Sequence, residues 1–348
     1  FRLWRLGEEK HVLSLVFHHI VCDGWSFGIF LKELASCYEA CRRGKQPQLP
    51  EQGAEYIDYA QWQKERLAGD GLHRQRDFWR KELRGIPPLL PLPTDFPRPE
   101  ILGNRGGHVP VRIDAATAQA LQRIARERGT TLFMALETLW ALLLSRYSGS
   151  EDVVVGTPVS GRSRPEIENT VGFFVNSLPL RNDLSGKPDF NALLERTRGN
   201  VLQAFAHQEI PFEKLVEELA PERNPGHAPI FQVMFAPVEA AFENLALEGL
   251  DVSPFEAEFD SAKFDLTLNL GADGEGLAGN IEYHRDLFRR KTVERMAQHF
   301  CNLAARAVHR PDIPVGDLSL LDPVEHDLVL YGFNNQAADY PRKQILHR

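Results

Sequence analysis

Cysteine is scarce in this 348-residue chain: Cys22, Cys37, Cys41 and Cys301 are scattered, with neither the C-x-x-C pairs of a zinc site nor the density of a disulfide-stapled secreted domain. They read as reduced thiols of a cytoplasmic protein. No apolar run approaches the ~20 residues that cross a bilayer, so no membrane span is expected. The opening Phe1-Arg2-Leu3-Trp4-Arg5-Leu6 lacks the apolar core and small-residue cleavage site of a secretory signal, and no Met precedes it. The expectation is an internal piece of a longer polypeptide. Positive charge is also in deficit: the net charge of −8 offers no coherent basic face for nucleic acid. Glycine-rich phosphate loops and flavin or nicotinamide fingerprints are missing as well.

What remains is the composition of an ordinary globular protein, 43% hydrophobic and 25% charged, long enough for one large two-lobed unit or two domains. The run His11-Val12-Leu13-Ser14-Leu15-Val16-Phe17 predicts a strand ending at a histidine pair. Ser26 is a candidate cap for a helix to about Cys41, with Gly44 as its stop. Further helices are predicted at 56–67 and 73–83. Five prolines between Gly85 and Arg98 mark a crossing segment, which places a boundary near residue 100. Beyond it the periodicity predicts helices at 115–128, 132–147, 190–206, 212–219 and 291–308, and strands at 152–158, 173–180, 230–235, 264–270 and 277–284. The fold class is therefore mixed α/β in two layers, with an N-terminal part at 1–100, a larger part at 101–320 and a linker at 321–348.

The chemistry concentrates in His18-His19-Ile20-Val21-Cys22-Asp23-Gly24, a strand end followed by a tight turn and a helix start. A neutral imidazole accepts or orients a proton at neutral pH. Asp23 is suited to fixing the loop, Gly24 opens the turn to a ligand, and the N–H groups at Trp25 and Ser26 are placed to face a developing oxyanion. Adjacent histidines point to opposite sides of a strand, so His19 is assigned to the site and His18 to packing. The pair lacks the i, i+4 spacing of a helical zinc motif, and no metal is expected. On these residues alone, catalysis and a structural role both stand.

The run from His18 to Ser26 resembles the HHxxxDG signature of nonribosomal peptide synthetase condensation domains, and further family motifs follow in order. Tyr56-Ile57-Asp58-Tyr59-Ala60-Gln61-Trp62 is similar to YxDYAxW. Val171-Gly172-Phe173-Phe174-Val175-Asn176-Ser177, ending in Arg181, is similar to GxFVNT, and His207-Gln208-Glu209-Ile210-Pro211-Phe212-Glu213 to HQDxPFE. Arg223-Asn224-Pro225 before Pro229-Ile230-Phe231 and Lys263-Phe264-Asp265 complete the series. Two upstream family motifs are absent, so the first lobe is expected to be incomplete, and a separate chain is a candidate to complete it.

The resemblance implies two chloramphenicol-acetyltransferase-like lobes in a V, with a tunnel reaching His19 from both sides. It implies peptide-bond formation between a donor acyl or peptidyl thioester and the amine of an acceptor, each on a carrier domain. The phosphopantetheine arms belong to those carriers, no cofactor binds the domain itself, and an adenylation domain is the expected neighbour. His19 and Gly24 are the catalytic candidates; His18, Asp23 and Arg181 are supporting, with Asp23 expected to pair with Arg181. Trp25, Ser26, Asn176 and Ser177 are tunnel-lining candidates, while Tyr56, Tyr59 and Trp62 read as core and His207 as surface. The alternatives are a same-fold epimerisation domain and a non-catalytic platform docking carriers or tailoring enzymes; a cyclisation variant would replace the histidine pair with Asp.

Overall fold

The computed structural model describes residues 1–51, 53–219, 224–238, 245–253, 255 and 261–335. The chain opens with an antiparallel hairpin of β1 (Arg2–Arg5) and β2 (His11–Ser14), in which Arg2 faces Ser14 and Arg5 faces His11. The sequence reading extends β2 to Phe17 and overlooks β1. The strand stops at Ser14 because its register with β1 runs out there. Three helices follow: α1 (Gly24–Arg42), α2 (Tyr56–Arg66) and α3 (Asp70–Glu82). α1 ends at the left-handed Gly44, φ 62°, as its sequence predicts. Its cap is Asp23, not Ser26: the Asp23 side chain accepts the Ser26 N–H.

Trp79 of α3 is fully buried in the core shared with the large sheet, and its Nε1–H donates to the His207 carbonyl at 2.9 Å. The proline-rich segment is stitched to the same body. Leu90 N–H donates to Gln232 Oε1 at 3.0 Å, and the half-buried Arg98 forms an ion pair with the buried Asp265.

Next come β3 (Gly106–Ile113), α4 (Ala115–Glu127), α5 (Leu132–Ser148), β4 (Asp152–Val159), β5 (Asn176–Asp183), α6 (Phe190–Ala206) and α7 (Phe212–Leu219). They are followed by β6 (Val233–Pro237), β7 (Leu266–Asp273), β8 (Gly276–His284) and α8 (Arg290–His309). The strands form one mixed sheet in the order β3-β8-β7-β6-β4-β5, with β6 parallel to both neighbours and the other pairs antiparallel. A layer of α4, α5, α6 and α8 packs on this sheet. α5 is apolar nearly all round and buried along most of its length, as the centre of that layer requires. Thr131 and Asp189 cap α5 and α6, and Gly149 at φ 70° stops α5.

β3 escapes the sequence reading because Gly106, Gly107 and Pro110 look like breakers. Yet β3 is an edge strand, where a missing proline N–H is tolerated, and Val109, Val111 and Ile113 alternate into the core. β6 begins at Val233, three residues later than expected, because Ile230 adopts φ 69° and turns the chain first.

Just before the expected linker, Arg146 donates to the carbonyls of Val315, Gly316 and Leu318, and Asn302 to that of Leu320. The first linker residues are docked as well, with Arg306 donating to the Leu321 carbonyl at 2.7 Å. A short helix α9 (Pro323–Asp327) then places Glu325 against His299, which also meets the Tyr147 hydroxyl; both contacts are 2.7 Å. Residues 336–348 of the expected linker lie outside the described residues. Among the described residues, no helix is long and apolar enough to cross a membrane.

Candidate active site

Between β2 and α1 the chain forms a single 3-10 turn, His19–Val21. His18 is exposed and does not pack: its Nδ1 accepts the Ile20 N–H at 3.1 Å and caps the turn. His19 Nδ1 lies 2.9 Å from the Cys22 carbonyl. A carbonyl oxygen only accepts, so Nδ1 carries the proton and Nε2 is the ring's acceptor. The imidazole is exposed at the wall of a cavity and meets the Phe173 ring edge-on, centroids 5.0 Å apart and planes at 85°. A base whose tautomer is set by its own turn is ready to take a proton.

Asp23 is only 4% exposed. Its Oδ1 accepts Ser26 N–H at 2.8 Å, its Oδ2 accepts Phe174 N–H at 2.9 Å, and Arg162 Nη2 lies 3.4 Å away. Burial alone pushes its carboxyl upward, but the hydrogen bonds from Ser26 and Phe174, with Arg162 nearby, leave it below the usual 3.8. Asp23 therefore stays ionised and cannot reach a substrate. The expected partner is corrected here: Arg181 on β5 pairs with Asp152 of the adjacent β4 at 2.7 Å and donates to the carbonyls of Glu82 and Arg84. The partner of Asp23 is Arg162, which the motif reading misses because no quoted element contains it.

Ser26 is also moved from the lining to the frame. Fully buried, its hydroxyl donates to the Gly172 carbonyl at 2.8 Å and accepts from Gly172 N–H at 3.0 Å and Arg162 at 2.7 Å. Its backbone N–H is committed to Asp23, so it is no oxyanion donor. Trp25 turns to a different cleft, beside Ser163 and Arg164, and its Nε1–H donates to the Glu168 carbonyl at 2.9 Å. A Cβ at Gly24 would meet nothing within 4 Å, so packing does not demand the glycine there.

The cavity beside His19 measures about 620 Å³ and is walled from both parts of the chain. Tyr56, Tyr59 and Trp62 of α2 form one side, which corrects their reading as core; they are half-buried and line the space. Helical i, i+3 spacing shows a shared face but not what that face covers. Phe173, Asn176 and Ser177 lie along the loop into β5 and its first residues, and Phe212, Met234 and Phe264 close the other side. Asn176 and Ser177 are among the residues that line the cavity. Asn176 is also a strut: its Nδ2 donates to the Gln208 and Ile210 carbonyls and its Oδ1 accepts the Phe212 N–H. His207 stacks on Phe78 at 3.8 Å, away from this site. An ion pair between Arg66 of α2 and Glu209, 3.2 Å, joins the two walls.

β5 starts at Asn176 and not at Phe173 because residues 172–174 are gripped from outside the sheet. Beside the contacts to Asp23 and Ser26, the Tyr56 hydroxyl donates to the Phe173 carbonyl at 2.8 Å. Phe174 packs inward, under the Arg162 guanidinium at 4.1 Å and the Tyr59 ring at 4.7 Å. Of the late Arg-Asn-Pro motif, Arg223 lies outside the described residues, while the Asn224 side chain accepts the Gly226 N–H at 2.8 Å. Among the described residues, no cluster of three His, Cys, Asp or Glu is placed to hold a metal.

Comparison with known proteins gives a consistent result. The family model of the condensation domain matches residues 1–330. One linear gramicidin synthase of Brevibacillus parabrevis is 41% identical over 347 residues, which are 99% of this chain and 4% of that protein. Among solved structures, the complex of the X-domain and OxyB from teicoplanin biosynthesis is 30% identical with a TM-score of 0.81, covering 92% of this chain and 72% of that one. The four-domain nonribosomal peptide synthetase holo-AB3403, bound to AMP and glycine, has a TM-score of 0.84 at 22% identity, covering 93% of this chain and 25% of that one; this likeness concerns the fold. The chain spans between 4% and 9% of the length of the curated relatives it matches.

Proposed function

The chain belongs to the condensation-domain family, and on that premise we propose that it joins a donor acyl or peptidyl thioester to the amine of an aminoacyl acceptor, both delivered by carrier domains of a nonribosomal peptide synthetase. The observation that carries this reading is His19: its Nδ1 is held by the Cys22 carbonyl, and its ring stands at a cavity built from both parts of the chain. The acceptor nitrogen attacks the thioester carbonyl, the amine proton passes to His19 Nε2, and the C–S bond breaks. The proton then goes to the departing thiolate. Holding two tethered substrates in one cavity makes this encounter local, which supplies much of the rate.

Asp23 and Arg162 take no part in the proton path; they hold the loop. Gly24, without a side chain where none would clash, keeps the approach to the turn open. Ser26 N–H is committed to Asp23, and neither Gly24 nor Trp25 lines the cavity beside His19, so the developing oxyanion is not assigned to the first turn of α1. The phosphopantetheine arms come with the carriers. Four free cysteines fit a cytoplasmic setting. A docking platform is the second reading, supported by the likeness to an X-domain captured with OxyB; the intact His19 turn favours chemistry.

The test loads one carrier protein with donor and another with acceptor and detects peptide by mass spectrometry, with the unaltered protein and with His19→Ala at equal folded concentration. Loss of a general base is expected to lower turnover by about 10²–10⁴-fold. Equal product from both proteins removes His19 from the chemistry. Carrier binding without product from either favours the docking reading.

A further inference from the structure

Phe173 and Phe174 sit side by side, yet only Phe174 is in the interior, where Tyr56, Tyr59 and Arg162 surround it. Phe173 remains half-exposed at the cavity with its ring against His19. We propose that Phe173 is a positioning residue for His19, and that Tyr56 acts through it; this rests on the reading of His19 as the base.

Among the described residues, the His19 ring has one hydrogen bond, to a carbonyl of its own turn. A single bond of that kind selects a tautomer but leaves the exposed ring free to swing. The edge-on phenyl supplies a second contact and closes off the orientation. Phe173 can do this because its backbone is fixed on both sides. The Gly172 N–H and carbonyl bind Ser26, and that carbonyl also accepts Asp23 N–H at 3.2 Å. On the other side, the Phe173 carbonyl accepts from Tyr56 and the Phe174 N–H reaches Asp23. Gly172 is required for this grip, since a Cβ there would enter the Tyr56 ring. The motifs around Tyr56, Gly172 and Asp23, far apart in sequence, thus act on one imidazole.

The experiment records the ¹⁵N spectrum of the His19 ring and steady-state turnover for the unaltered protein, Phe173→Leu, Phe173→Tyr and Tyr56→Phe. Phe173→Leu keeps an apolar side chain but removes the ring. It is expected to shift His19 from the single Nδ1–H tautomer to a mixture and to lower kcat about tenfold with little change in KM. Phe173→Tyr restores both readouts, and Tyr56→Phe, which deletes one hydroxyl, moves both in the same direction by less. An unchanged His19 spectrum in Phe173→Leu overturns the proposal whatever the turnover, and a changed spectrum with unchanged kcat overturns its relevance to the reaction. Should Phe173→Leu fail to fold, Tyr56→Phe decides by the same criteria. If instead His19→Ala retains full activity, the proposed function fails on its own, and the spectrum still reports whether Phe173 holds the ring.

Discussion

Asp23→Asn changes a side chain's charge while keeping its shape, and its cost follows from the donors that converge on the carboxylate. Ser26 N–H and Phe174 N–H occupy one oxygen each, and Arg162 approaches the first. Asparagine keeps one oxygen, so its NH2 group must face one of the two N–H groups. Leaving that donor unpaired costs about 1–3 kcal/mol. The second loss is electrostatic: the Arg162 side chain is only 2% exposed and loses its counter-charge. Breaking such a pair from one side costs about 3–5 kcal/mol in typical proteins, a range that already contains the lost hydrogen bonds. Arg162 retains the carbonyls of Ile167 and Thr170, the Ser26 hydroxyl and the Phe174 ring, which places the expected total near the lower end, about 3 kcal/mol. Equilibrium urea unfolding at pH 7 measures it, and Arg162→Met in the Asp23→Asn background should recover part of the loss by removing the orphaned charge. Because the folded carboxyl titrates below its usual 3.8, its stabilisation is present above that value and is lost as pH falls through the lower folded pKa. The variant should therefore destabilise less steeply in acid than the unaltered protein. A cost under about 1 kcal/mol, or additive effects in the double variant, would refute the argument.

Glu137 on α5 gives the opposite pH behaviour. It is fully buried, Asn182 donates to its Oε1 at 2.7 Å, and its Oε2 has no partner among the described residues, so burial raises its carboxyl from 4.5 to about 7. The raised folded pKa favours the protonated folded state. Its stabilisation is full below 4.5 and is lost as pH rises through about 7, a decline of about 3 kcal/mol that Glu137→Gln should remove in unfolding curves taken at pH 5 and pH 8. Glu325→Ala deletes the bond to His299 that holds α9 and should speed amide exchange at 320–327 about fivefold, corresponding to about 1 kcal/mol of local stability, while the sheet's protection is unchanged. Exchange equal in both proteins would show that the Asn302 and Arg306 bonds to the Leu320 and Leu321 carbonyls suffice to hold this segment.

The large helices were legible because their apolar stripes are long and their caps are local: α6 and α7 lie where periodicity puts them, and α8 differs by one residue at each end. Turns decided by distant partners were not. β3 reads as broken until its edge position is known, and β5 starts late only because Asp23, Ser26 and Tyr56 hold the preceding loop. At the site, the motifs quoted from the sequence include the His19 turn and Asn176 and Ser177, which the structure places along one cavity. It could not assign the partner of Asp23, because Arg181 and Arg162 differ in which sheet face and loop they occupy and not in residue type. Tyr56, Tyr59 and Trp62 likewise look the same in sequence whether they cover a core or a cavity.

Of the strands in the six-stranded sheet, the edge strand β3 is made first and its partner β8 last. Gly106 pairs with His284 and Ile113 with Leu277. At ~5–20 residues per second of synthesis, β3 waits roughly 10–30 seconds for its partner. During that interval Val109, Val111 and Ile113 have no sheet to join, and the nascent chain displays an unpaired apolar edge. Pro110, which lacks an N–H, and Arg112, which carries a charge, interrupt that edge where a stray strand would otherwise add. Pro110, one of the residues that hid β3 in the sequence, is thus also suited to protect it from aggregation before β8 arrives.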